Sequence, residues 1–135
     1  MSKLETPMTR WYWKQVGGTL IEEFHAVRQS PTNARRLIDG IIIHGGETKI
    51  AKSADVDLSG KDVTVIQAKA NRLGMYLMGQ AFFSAALIRE FDPKTIKSVA
   101  LCKQDDSVMR ELLERHDGME VVVCPPEVFA SSTTT

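Results

Sequence analysis

Two short stretches carry residue types that are costly to place where they stand. In the first, Leu37-Ile38-Asp39-Gly40-Ile41-Ile42-Ile43, one aspartate interrupts an apolar, β-branched run. Desolvating a carboxylate there is expensive unless it is paired, hydrogen-bonded or holding a cation. Arg35 or Arg36 is close enough in sequence to supply the pair, and a backbone N–H or a divalent metal would serve as well. The second stretch is Val63-Thr64-Val65-Ile66-Gln67-Ala68-Lys69. Side chains alternate along a strand, so Gln67 and Lys69 share one face while Ile66 and Ala68 share the other. With the apolar pair in the core, the amide and the ammonium face either a polar site or solvent at a strand end.

The elements that must position these residues follow from periodicity. Trp13, Val16, Leu20, Phe24 and Val27 recur at three- and four-residue spacing and predict a helix over 11–27. Gly17 and Gly18 weaken it by about 1 kcal/mol each, which suggests a neighbour packed into the gap. Trp11-Tyr12-Trp13 reads as an apolar cap at its start, with base stacking as the other use of such rings. Ser30-Pro31-Thr32-Asn33 is a loop. The Asp39 run is a buried strand. Gly45-Gly46 supplies a turn toward a more polar strand over 47–51, together a hairpin. A polar loop over 53–61 leads into the strand that ends at Lys69.

A long helix over 71–91, rich in small residues, is stopped by Asp92-Pro93. A strand over 98–102, a helix capped by Asp105 or Asp106, a stop at Gly118 and a strand over 119–124 complete the pattern. The predicted order is α-β-β-β-α-β-α-β around a central mixed sheet. Residues 1–10 read as an N-terminal extension, 11–126 as one α/β domain, and 127–135 as a disordered tail ending in Ser131-Ser132-Thr133-Thr134-Thr135.

Composition narrows the function class. The 135 residues carry 17 Lys+Arg and 17 Asp+Glu, so the chain has no bulk charge with which to grip nucleic acid, and any such contact needs a local basic face. Lys49, Lys52, Arg72, Arg35 and Arg36 are the residues available for such a rim, and ordinary solvated charge is the alternative. No apolar run reaches the roughly 18 residues of a membrane span, and the first ten residues lack an apolar signal segment. Cys102 and Cys124 each lie in an apolar stretch and read as buried reduced thiols, in keeping with a cytoplasmic address. His25, His44 and His116 are scattered without ligand spacing and read as surface or packing residues.

An acid on one strand followed by (Glu/Gln)-x-Lys at the close of the next apolar strand resembles the PD-(D/E)xK nuclease superfamily. The resemblance runs over about 11–102 and rests on Asp39 and Gln67-Ala68-Lys69. It implies a restriction-endonuclease-like three-layer core with helices on both faces of the sheet. It also implies that Asp39 and Gln67 bind Mg²⁺ or Mn²⁺ while Lys69 positions the attacking water. Gly18-Thr19-Leu20-Ile21-Glu22 fits a Gly-x-x-x-Glu form of the opening helix, which makes Glu22 a further ligand with Glu23 in reserve. Gln80 on the following helix matches a polar position near the metal or the nucleic-acid backbone, and Arg72, Lys49 and Arg36 would contact that backbone.

The implied function is a metal-dependent nuclease, on DNA rather than RNA, working as a homodimer or with a targeting partner. Glutamine stands where glutamate is commoner, so the alternative is an inactive nuclease-like domain used for binding. An unrelated, fully parallel α/β fold is the remaining alternative, and the Gly45-Gly46 hairpin argues against it.

Overall fold

Pro7 lies in the first turn of a helix, where its missing N–H removes no helical bond. The structure, a computed structural model, describes residues 3–130 and places this helix, α1, at Glu5–Val16. The chain turns at Gly17 and Gly18, whose φ angles are 77° and 87°, and enters strand β1, Thr19–Val27. The Trp13 indole N–H closes the turn by donating to the Gly18 carbonyl at 2.7 Å. A Cβ on Gly18 would stand 2.5 Å from the Ile43 carbonyl oxygen.

These facts correct the expected helix over 11–27. Its apparent period spans two elements, because the glycine pair takes a left-handed turn that a continuing helix does not allow. The helix begins instead within the segment expected as an extension. Trp11, Tyr12 and Trp13 accordingly occupy its later turns rather than its start, and Tyr12 is buried in the core.

Strand β2 (Arg36–Ile43), strand β3 (Lys49–Ala51) and a 3-10 turn at Ser53–Asp55 follow. Then come β4 (Asp62–Arg72), α2 (Met75–Arg89), β5 (Thr95–Gln104), α3 (Ser107–Glu114), β6 (Met119–Val123) and α4 (Glu127–Ala130). The six strands form one mixed sheet in the order β3-β1-β2-β4-β5-β6. β2 runs antiparallel to both β1 and β4, whereas β3 is parallel to β1, and β4, β5 and β6 are mutually parallel. The predicted β2–β3 hairpin does not form. After Gly45-Gly46 the chain crosses to the far side of β1, where the Thr19 hydroxyl donates to the Glu47 carbonyl at 2.6 Å and ties β3 in place. The observed order thus has one strand more than expected ahead of α2.

Alternation along the strands builds three layers. Leu20, Ile42, Ile66, Ala68, Val99 and Leu101 pack with Met8 and Tyr12 of α1 and Val128 of α4. On the opposite face Ala100 and Cys102 pack with Leu77, Ala81 and Ala85 of α2 and Leu113 of α3. Ile21, Phe24, Ile41, Ile43, Val63 and Val65 extend that second face with Ile88 of α2. Each fully buried Leu or Ile contributes roughly 1.5–3 kcal/mol. Alanines on α2 let the helix lie close to the sheet.

Asp106 caps α3 by accepting from the Val108 and Met109 amides, as its sequence position predicts. Both cysteines are free and buried, and burial pushes the Cys102 thiol up to about 11 and that of Cys124 to about 12. Among the described residues no helix is long and apolar enough to cross a membrane. The tail at Ser131–Thr135 lies outside the described residues, and the short α4 occupies the start of the segment expected to be disordered.

The Gly18 turn yields a direct stability test. Gly18→Ala combines a positive φ with contact against backbone and is expected to cost about 2–4 kcal/mol in urea unfolding. Gly79→Ala, inside α2 with nothing within 4 Å of the added methyl, is expected to be neutral or stabilising by up to about 1 kcal/mol. Equal effects at the two positions would contradict this account.

Candidate functional site

The central pair of strands does not stay together. Strands β2 and β4 are paired from Ile43↔Val63 through Gly40↔Ile66 and no further. Beyond that point β2 continues only with β1, through Phe24↔Ile38 and Val27↔Arg36. Strand β4 continues only with β5, through Gln67↔Ala100, Lys69↔Cys102 and Arg72↔Gln104. The sheet therefore forks at Asp39. At the crotch the Ala68 amide, which has lost its β2 backbone partner, donates to Asp39 Oδ2 at 2.9 Å. A hydrogen bond to a charged acceptor is worth about 1.5–3 kcal/mol, so the carboxylate both ends the ladder and pins the fork.

The local strand chemistry shows a matching irregularity in β1. Glu22 faces α1 as Leu20 does, yet Phe24 lies on the opposite face with Ile21. Glu23, between them, has a φ of 52° and absorbs the change of face. The register with β2 is unbroken across Glu23, and the bulge in β1 lies further on, between His25 and Val27.

Asp39 carries the clearest electrostatic signature of the fork. Burial raises its pKa above the ordinary carboxylate value; the Ala68 N–H opposes that shift, the Glu5 carboxylate adds to it, and Lys69 opposes it. Of the expected site residues Asp39, Glu22, Gln67 and Lys69, only Gln67 lines the cleft on the α2 side of the sheet. Gln67 and Lys69 both turn toward α2: the Gln67 amide donates to Ser84 Oγ at 2.7 Å, and the Lys69 ammonium lies 5.3 Å from the centroid of the Tyr76 ring.

Between α2 and the start of β2, the fork opens into a cleft of about 1010 Å³. Its walls include Arg35, Arg36, Tyr76 and Phe83, with Gln67 and Gln80 below them. Gln80 Oε1 is buried and has no hydrogen-bond partner.

Other predicted site residues fall elsewhere. Glu22 is a strand residue rather than a helix residue, and its carboxylate forms a two-pronged bond to the Arg10 guanidinium, both contacts 2.9 Å. Glu23 is exposed. Arg72 lies at the end of β4, where it donates to the Asp105 carbonyl. Lys49 pairs with Thr19 at the opposite end of the sheet and bridges to Glu47, so Lys49 and Lys52 do not join Arg36 and Arg72 in one rim. His44 bonds Thr64, while His25 and His116 are exposed.

Sequence reasoning did not single out Glu5, whose charge adds to the upward shift of the Asp39 pKa. Pro7 in Glu5-Thr6-Pro7-Met8 was the signal, since proline marks a helix's first turn. It also missed Tyr76 and Phe83, exposed rings seven residues apart on one helix.

Among the described residues no three His, Cys, Asp or Glu side chains gather into a metal cage. Magnesium does not require one: it is commonly held by one or two carboxylates and keeps several waters. Comparisons with protein-family models, characterised proteins and solved structures find no match to this chain.

The raised Asp39 pKa fixes the sign of a pH effect. An unfolded aspartate titrates near about 3.9, so between that pH and the higher folded value the folded chain holds more protons. Stability from this group is therefore present at low pH and lost as pH rises through the window. Asp39→Asn keeps an acceptor for Ala68 and removes the titration. The difference in urea midpoint, wild type minus Asp39→Asn, is expected to fall as pH rises above about 4. A rising difference would overturn the assignment.

Proposed function

We propose that the fork is the active site of a metal-dependent phosphodiesterase acting on nucleic acid, DNA before RNA. The observation that carries the reading is the crotch itself. One half-buried carboxylate, Asp39, lies between two strands, within the field of a second carboxylate, Glu5, and of the Lys69 ammonium. A mixed sheet with helices on both faces supports the reading at the level of architecture, with one strand more ahead of α2 than the resemblance implies.

In this reading Asp39 and Glu5 would hold Mg²⁺ or Mn²⁺, which would supply Lewis-acid stabilisation of developing negative charge. Lys69 brings a cation to the scissile phosphate and orients the attacking water. Gln67 contributes its amide from the same strand face, and Glu22 serves to tie β1 to α1 through Arg10 instead of ligating metal. The second reading, a nuclease-like domain that binds without cleaving, is favoured by the neutral Gln67, whose amide is engaged with Ser84.

Cleavage of plasmid and single-stranded DNA with Mn²⁺ separates the readings. Asp39→Ala and Lys69→Ala are each expected to lower the rate by about 100-fold or more. Glu5→Gln is expected to lose activity, whereas Glu22→Gln breaks an exposed ion pair worth about 0–1 kcal/mol and leaves cleavage nearly unchanged. A folded wild type inert with Mg²⁺ and Mn²⁺ on every substrate would replace the enzyme with the binding domain.

A further inference from the structure

The cleft has features that hydrolysis alone does not use. Tyr76 is 71% exposed and Phe83 66%, both on the α2 wall. Large rings left in water on one wall of a cleft mark a contact surface rather than scattered surface residues. The opposite wall is cationic, with Arg35 and Arg36 exposed, and Lys69 adds a third positive charge beside Tyr76. The Gln80 carbonyl oxygen, buried without a partner, is an acceptor that lacks its donor.

We propose that this cleft receives unpaired nucleotides of a single-stranded nucleic acid, with bases stacked on Tyr76 and Phe83 and phosphates held by Arg35 and Arg36. The inference rests on the nucleic-acid reading of the fork and names its substrate class. Every base offers a π-face, so stacking on aromatic rings tolerates sequence, and a basic groove tracks the backbone. A duplex keeps its bases stacked on one another and presents only backbone and groove edges, leaving these rings without a partner. An inserted base brings ring N–H or exocyclic amine donors, the groups that the Gln80 amide can accept from once it turns toward the cleft.

The competing occupant is a second copy of the chain. Phe82 and Phe83 touch with centroids 5.4 Å apart, and Phe82 meets His116, just beyond α3 in the same layer, at 5.0 Å, so the aromatic surface continues beyond the cleft. An apolar helix from a second copy would nonetheless leave the arginine wall unmatched, whereas phosphates match it.

Fluorescence anisotropy in EDTA, where no metal-dependent cleavage runs, tests the proposal on a labelled 12-nucleotide single strand and its duplex. The expected result is single-strand binding at least tenfold tighter than duplex binding. Tyr76→Ala and Phe83→Ala, both surface changes, should each weaken it by about tenfold. Tyr76→Phe should retain it, and Arg35→Ala with Arg36→Ala should flatten its salt dependence. Equal affinity for both forms, or no binding, overturns the proposal. So does a Tyr76→Ala or Phe83→Ala variant that changes the mass in light scattering while oligonucleotide binding is unaltered, the result that assigns the rings to self-association. Binding without cleavage keeps this inference and removes the enzyme. Cleavage insensitive to Tyr76 and Phe83 does the reverse.

Discussion

A single charged hydrogen bond organises the centre of this molecule. Where β2 leaves β4, the Ala68 amide would face the gap with no carbonyl opposite it, and an unsatisfied buried N–H is costly. The Asp39 carboxylate takes the missing position. Because it accepts from backbone, it can stand inside an apolar strand without an arginine partner. The bond thereby resolves two problems at once: a donor stranded by the fork and an acid stranded by the apolar run.

The rest of the architecture supports that crotch. The Gly17-Gly18 turn reverses the chain so that α1 lies back across β1, β2 and β4, bringing Glu5 toward Asp39 and Arg10 onto Glu22. Gly40, beside Asp39 in β2, leaves just enough space for Thr9 of α1: a Cβ there would approach the threonine methyl to 3.0 Å. On the other face the small residues of α2 let it settle on β4 and β5, where Ser84 meets Gln67. The two helical layers thus reach the fork from opposite sides, one bringing a carboxylate and the other amides and rings.

Charge is distributed to match. The chain is neutral as a whole, so long-range attraction of a polyanion is weak, and any selectivity must come from the local field at the cleft. Arg35, Arg36 and Lys69 provide such a field beside an apolar wall. Lys49 and Lys52, at the other end of the sheet, lie too far away to add to it.

Much of this was legible in the residues themselves. Asp39 in an apolar run and Gln67-Ala68-Lys69 closing a strand were anomalies of local chemistry, and local chemistry is what sequence encodes directly. The β4–α2–β5–α3–β6 crossover run also declared itself, through Pro93, the Asp106 cap and Gly118, because each stops or starts an element by its own backbone constraint. Pairing across the chain was a different matter. The period of Trp13, Val16, Leu20, Phe24 and Val27 fits a helix equally well, and only packing against β2 and β3 makes its second half a strand. Gly45-Gly46 permits a hairpin, yet the free edge of β1 captured the segment that follows. Sequence alone thus determined which residues were out of place. Tertiary structure decided which partner each one meets: the Ala68 amide for Asp39 and Arg10 for Glu22, since both partners are brought up by strand pairing and by how α1 folds back and not by spacing along the chain.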